Sequence, residues 1–138
     1  MKLPESDKSL LLRTDFSDDT AWALLCKAVQ APSKEGFQAG VECVSDPACN
    51  GLTLEQLMTV LTTSGDRTFA FVADQIALSV PEWPVLVVDL FDQPGRTFRV
   101  IAREMWSVEN NLSIANMDYA EFADNADADG VFRGFPRP

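Results

Sequence analysis

Three aspartates each close a short apolar run: Asp15 after LLLRT, Asp74 after FAFVA and Asp89 after VLVV. In an open α/β sheet the carboxyl ends of parallel strands converge, and ligands bind in the crevice outside them. Three carboxylates gathered there suit Mg²⁺, a hard cation that takes oxygen ligands. That arrangement would support a Mg²⁺-dependent enzyme acting on a phosphorylated small molecule. The local alternative is that each Asp caps the turn or helix that follows it. Convergence needs Asp15, Asp74 and Asp89 on parallel neighbouring strands, an order the sequence leaves open. Arg13 or Arg67 is available to offset excess negative charge.

A second group lies in WSVENNLSIANMD, residues Trp106 to Asp118. Asn110, Asn111 and Asn116 fall within seven positions, a density that suits neither a helix interior nor a strand. One reading makes Trp106, Glu109, Asn110, Asn111 and Asn116 a polar recognition patch, since amides and aromatics suit binding surfaces. The other makes the segment a joint. Asn110 or Asn111 would take a left-handed helix exit, and Asn116 or Asp118 would cap the next helix. The joint is favoured as the main role, and the two are compatible. Asn125-Ala-Asp127-Ala-Asp129-Gly130 imitates the first half of an EF-hand loop, but position twelve falls on Pro136, where a bidentate Glu is required. An acidic helix end and turn is the favoured reading there.

Other chemistries are excluded by composition. The chain has no histidine, which removes Ser-His-Asp and Cys-His pairs and every His metal site. Three cysteines cannot supply a four-thiolate zinc site. Cys26 falls on an apolar helix face as a small core residue. Cys43 and Cys49 lie six apart; an oxidising compartment permits a bridge, whereas a cytosolic setting, the favoured one, leaves both free. No run of about 18 apolar residues marks a membrane span, and MKLPESDK lacks the apolar region of a secretory signal. A cytoplasmic location is the default expectation, and no cofactor is called for.

The formal net charge is −10 and the isoelectric point is near 4.3. Binding to a nucleic-acid backbone needs clustered Lys and Arg, so that partner is disfavoured. From Glu104 to Gly130 there are seven acids and no base, which places −7 of the −10 in that segment. Such a face is solvated, or it meets a basic protein partner.

The elements that must position these residues follow from periodicity. Leu10 to Leu12, Phe69 to Ala73 and Val85 to Val88 are continuous apolar runs, as in strands covered on both faces. Phe37, Ala39, Val41 and Cys43 alternate with polar or small residues and predict a half-exposed strand. Trp22, Leu25, Cys26 and Val29 stripe one helix, opened near Ser17 and stopped by Pro32. Thr53 and Gln56 form a capping box for a second, with Leu54, Leu57, Met58 and Leu61 on its apolar face. Gln93-Pro94-Gly95-Arg96 predicts a type II turn, with Phe98, Val100 and Ala102 as the returning strand of a hairpin. Short helices are expected from Glu104 and from Asp118, and a closing strand over Val131 to Phe135. The expectation is one α/β domain over 1–138, with 1–8 flexible. It has a mixed, mostly parallel sheet, helices on both faces and a C-terminal antiparallel hairpin.

The motifs LLLRTDFSDD, FVAD, PVLVVDL, PGRTFRV, ENNLSIANMD and DGVFRGF resemble a family of uncharacterised bacterial domains classed as a domain of unknown function. The resemblance runs from about Leu10 to Phe135, and ENNLSIANMD is its most specific part. It implies a stand-alone soluble domain and carries over no catalytic residue or ligand. The leading expectation is therefore a small non-catalytic interaction module that uses its acidic C-terminal third. The rival is the Mg²⁺-dependent enzyme built on Asp15, Asp74 and Asp89.

Overall fold

The computed structural model describes residues 3–63 and 65–136. Six strands form one sheet: β1 (Ser9–Arg13), β2 (Val41–Val44), β3 (Phe69–Ala73), β4 (Pro84–Asp89), β5 (Thr97–Ile101) and β6 (Val131–Phe132), in the spatial order β2-β1-β3-β4-β5-β6. Five helices join them: α1 (Asp19–Gln30), α2 (Leu54–Thr62), α3 (Gln75–Ser79), α4 (Met105–Ser113) and α5 (Tyr119–Ala123). β1 pairs in parallel with β2 and β3, and β5 with β6, whereas β4 is antiparallel to both of its neighbours. The sheet is thus mixed, with one reversed strand in its middle, and it is less parallel than the apolar runs suggest.

Strand alternation sorts the core into two layers. Leu11, Phe71, Val85, Val87, Val100 and Phe132 face one side, where Leu25 and Val29 of α1, Leu78 of α3, Val108 of α4 and Phe122 of α5 cover them. Leu10, Leu12, Ala70, Val72 and Val88 face the other, under Leu57 and Leu61 of α2. This is why β1 and β3 are buried at every position. Right-handed crossovers from β1 leftward to β2, and from β2 rightward past β1 to β3, put α1 and α2 on opposite faces.

Local signals account for most helix ends. Asp18, one residue beyond the expected Ser17, accepts the Ala21 N–H and caps α1. Thr53 and Gln56 make both halves of their capping box. Gly95 takes φ +94, and Arg96 N–H bonds Gln93 O at 2.9 Å, as the β4–β5 turn requires. Two expectations change. The strand over Phe37 to Cys43 begins only at Val41, because Phe37 turns away and stacks on Trp106 with ring centroids 5.1 Å apart. Within residues 1–8, Leu3 is buried against the α2 layer, and Arg67 donates to Ser6 O and Lys8 O; residues 1–2 lie outside the described residues.

Candidate functional site

The three strand-end aspartates do not converge. Asp89 ends β4, and the reversal of β4 carries it to the opposite end of the sheet from Asp15 and Asp74. There it is buried and accepts N–H bonds from Phe91, Asp92 and Gln93 at 2.9, 3.3 and 2.8 Å. Asp74 caps α3 through Ala77 N–H and holds Arg99 with two bonds of 3.0 and 2.7 Å. Burial raises its pKa, but the Arg99 guanidinium and the Ala77 amide outweigh burial and hold it below the ordinary value. Asp15 accepts from Ser17 N and Oγ in a local turn. Arg13, buried beneath Phe16, donates to Asp15 O and Asp19 Oδ1. Among the described residues no group of three or more Cys, Asp or Glu side chains is placed to hold a metal ion.

The amide-rich segment folds as a joint between α4 and α5. Glu109, expected on a surface patch, is instead buried at 5% exposure. Its carboxylate accepts from Ser9 Oγ at 2.8 Å, Gly40 N at 2.6 Å and Asn110 Nδ2 at 3.1 Å, fastening α4 to the start of β1 and β2. Asn110 also donates to Gln38 O. Asn111 donates to Ser107 O, and its own carbonyl accepts Asn116 N–H while its side chain accepts from Asn116 Nδ2. The left-handed residue is neither asparagine but Ala115, at φ +54. Glu121 Oε2 accepts from Asp118 N at 2.8 Å and opens α5. Because Ala115 pays a steric cost in that conformation that glycine avoids, Ala115→Gly is expected to gain roughly 0.5 kcal/mol after the entropy of a freer unfolded chain is subtracted. Urea unfolding would measure it, and a loss of stability would contradict it.

Three of the seven acids in the acidic segment are paired with arginines outside it. Arg96 bonds Asp124 at 2.6 Å, and Arg133 bonds Asp127 and Asp129 at 2.8 Å each. The Arg133 guanidinium holds the Asp129 carboxyl below its usual range. The EF-hand-like stretch is therefore an acidic turn closed on Arg133, with Gly130 at φ +82. Sequence counting along one segment missed this because both arginines lie outside it.

Two clefts flank α4. The first, about 330 Å³, lies between the β4–β5 turn and the α4–α5 joint. Phe69, Leu112, Met117 and Tyr119 make its apolar lining, and Asp92 and Asp118 are exposed carboxylates on it. Phe91 and Ile114 beside it are 75% and 73% exposed, the two most exposed large apolar residues among those described. Tyr119 anchors the floor: its hydroxyl lies 3.0 Å from Val87 O and 2.9 Å from Arg96 O. Burial and then the Asp89 charge push its pKa well above the ordinary value, so it stays a neutral donor. The second cleft, about 760 Å³, includes Trp83, Trp106, Lys34, Arg103, Glu35 and Glu104. Glu82 and Trp83 on its wall are consecutive left-handed residues, φ +75 and +53, held by Ala102 N–H to Glu82 O and by Arg133 to the Glu82 carboxylate.

These features define a mixed α/β domain with one six-stranded sheet and two surface clefts either side of a short helix. The chain belongs to the family described as domain of unknown function DUF6924, whose model matches residues 8–135. No curated protein matches the chain. No helix among the described residues is long and apolar enough to cross a membrane.

Proposed function

We propose that the domain is a non-catalytic binding module, and that the first cleft takes a cationic side chain from a basic protein partner. One observation carries this reading: Asp92 and Asp118 stand as exposed carboxylates beside an apolar lining, flanked by exposed Phe91 and Ile114. A Lys or Arg side chain has the matching form, an apolar stem with a charged end. Asp124, Asp127 and Asp129 are already paired, so the interaction surface narrows from the whole acidic third to this cleft. The second cleft carries bases and acids in balance and favours neither sign.

A short peptide of alternating Lys and Leu, titrated into the ¹⁵N-labelled protein, is the test. Amide shifts are expected at Phe91, Asp92 and Leu112 to Tyr119. Asp92→Asn with Asp118→Asn is expected to weaken binding roughly tenfold and flatten its salt dependence. Asn caps a helix as well as Asp does, so the fold should survive the second change. Shifts scattered over every acidic face, or affinity indifferent to the double substitution, would reject the cleft.

A further inference from the structure

Trp83 and Trp106 both line the second cleft, and both pack half-buried against the core layer that α1 covers. Trp83 sits at φ +53 directly after Glu82 at φ +75. Two consecutive non-glycine residues in the left-handed region are strained, and a bulky side chain there is an outlier. The conformation persists because Trp83 N–H donates to Val80 O at 3.2 Å, Ala102 N–H donates to Glu82 O at 3.1 Å, and Arg133 donates to the Glu82 carboxylate at 3.1 Å. Glycine at position 83 would make the same turn without strain, but it would take the indole from the cleft wall. Strain of this kind collects at ligand clamps. Trp106 is steadied differently: Phe37, which is not part of the cleft, stacks on it with ring centroids 5.1 Å apart and planes 11° apart. The volume, about 760 Å³, lies within the range of about 300–1,000 Å³ typical of small-molecule sites.

The charges of this cleft are balanced by count but not by commitment. Glu82 is bonded by Arg133, which also holds Asp127 and Asp129. Glu104 packs against Gly134, where an added Cβ would lie 3.2 Å from Oε1. Among the described residues Lys34, Arg103 and Glu35 enter no ion pair, and all three are exposed. Two cations thus stand against one carboxylate. The net charge of −10 repels an anion at long range, but physiological salt screens it over about 8 Å.

We propose that the second cleft binds a small planar aromatic carboxylate, its ring on Trp83 and Trp106 and its carboxylate on Lys34 and Arg103. An aromatic ring packs offset or edge-to-face on indole, and such a pair gains more than the apolar area it buries. The planar guanidinium of Arg103 can donate two parallel N–H bonds to a carboxylate, and Lys34 adds a point charge. A neutral ring leaves both cations without a partner, and an aliphatic acid leaves the indoles without one. The site is separate from the first cleft, so either reading can fail alone.

The test titrates 2-naphthoate into the ¹⁵N-labelled full chain and follows the indole N–H signals of the three tryptophans. Those of Trp83 and Trp106 are expected to shift. That of Trp22, whose ring lies under the Arg13 guanidinium and outside the cleft, is expected to stay in place. A dissociation constant of about 1 mM or tighter is expected for a ligand of this size. 2-Naphthamide keeps the ring and loses the charge; cyclohexanecarboxylate keeps the charge and loses the aromatic ring. Each is expected to bind at least about fivefold more weakly. Lys34→Gln with Arg103→Gln is expected to weaken 2-naphthoate by the same factor and to leave 2-naphthamide unchanged. Both side chains are exposed, so the fold should survive the double change. No indole shift at about 10 mM ligand, a Trp22 shift equal to the other two, an amide or aliphatic acid as tight as 2-naphthoate, or affinity indifferent to the double change would each overturn the proposal.

Discussion

Glu109→Ala is expected to lower folding stability by roughly 3–5 kcal/mol, read as a shifted urea midpoint. The carboxylate is buried and receives a hydroxyl, a backbone amide and a side-chain amide. Truncation leaves the Gly40 N–H and the Ser9 hydroxyl without their acceptor and opens a void between α4 and the sheet. Hydrogen bonds to a charged acceptor contribute about 1.5–3 kcal/mol each, and they are not additive within one cluster. Glu109→Gln is expected to cost only about 1–2 kcal/mol, because the amide oxygen still accepts from Gly40 and Ser9 can reverse its hydroxyl. A loss below 1 kcal/mol for the alanine variant would mean that water hydrates the site, and the fastening role would fall. Peptide affinity per folded molecule should not change, since Glu109 lies outside the first cleft.

Asp74→Ala is expected to cost about 2–4 kcal/mol. It removes the cap of α3 and leaves Arg99 without its carboxylate, though Pro84 O at 2.9 Å retains one donor. The estimate is set below that for a fully buried pair because the two side chains are 18% and 27% exposed. The same pair predicts a pH dependence. Asp74 has a lower pKa folded than unfolded, so its contribution is complete above the unfolded value of about 3.8 and fades as pH falls through the folded value. Wild type and Asp74→Asn should therefore differ in stability at neutral pH and converge in strong acid. A difference that stays constant from neutrality down to pH 2 would remove the ion pair from the explanation.

Much of this architecture is legible in the sequence because its causes are local. The Thr53–Gln56 box, the Pro94-Gly95 turn and the apolar runs of β1, β3 and β4 each need only neighbouring residues. What is not legible depends on strand direction. Asp89 follows an apolar run just as Asp15 and Asp74 do, and nothing in the run says which way it points. One signal was available: residues 74–83, between β3 and β4, number ten, short of the dozen or more a parallel crossover needs. Glu109 was unreadable for another reason, since Ser9 and Gly40 lie 100 and 69 residues away. A helix position flanked by asparagines looks solvated until its partners are known. The first cleft, formed between a turn and a joint distant in sequence, has no local signature at all.

The margins of the sheet bear on how a partner can be recognised. β6 has two residues and β2 has four, and these are the outer strands. A guest polypeptide that extends a sheet relies on a run of main-chain bonds along an open edge. Here one border offers almost no template and the other only a brief one, bounded by Gly40 and by the loop beginning at Ser45. Short borders of this kind also discourage fusion of neighbouring molecules into continuous ribbons. On the proposed binding reading, backbone zippering is thereby disfavoured as a mode of capture, and selectivity would fall to individual side chains of the guest, read one at a time rather than as an extended thread.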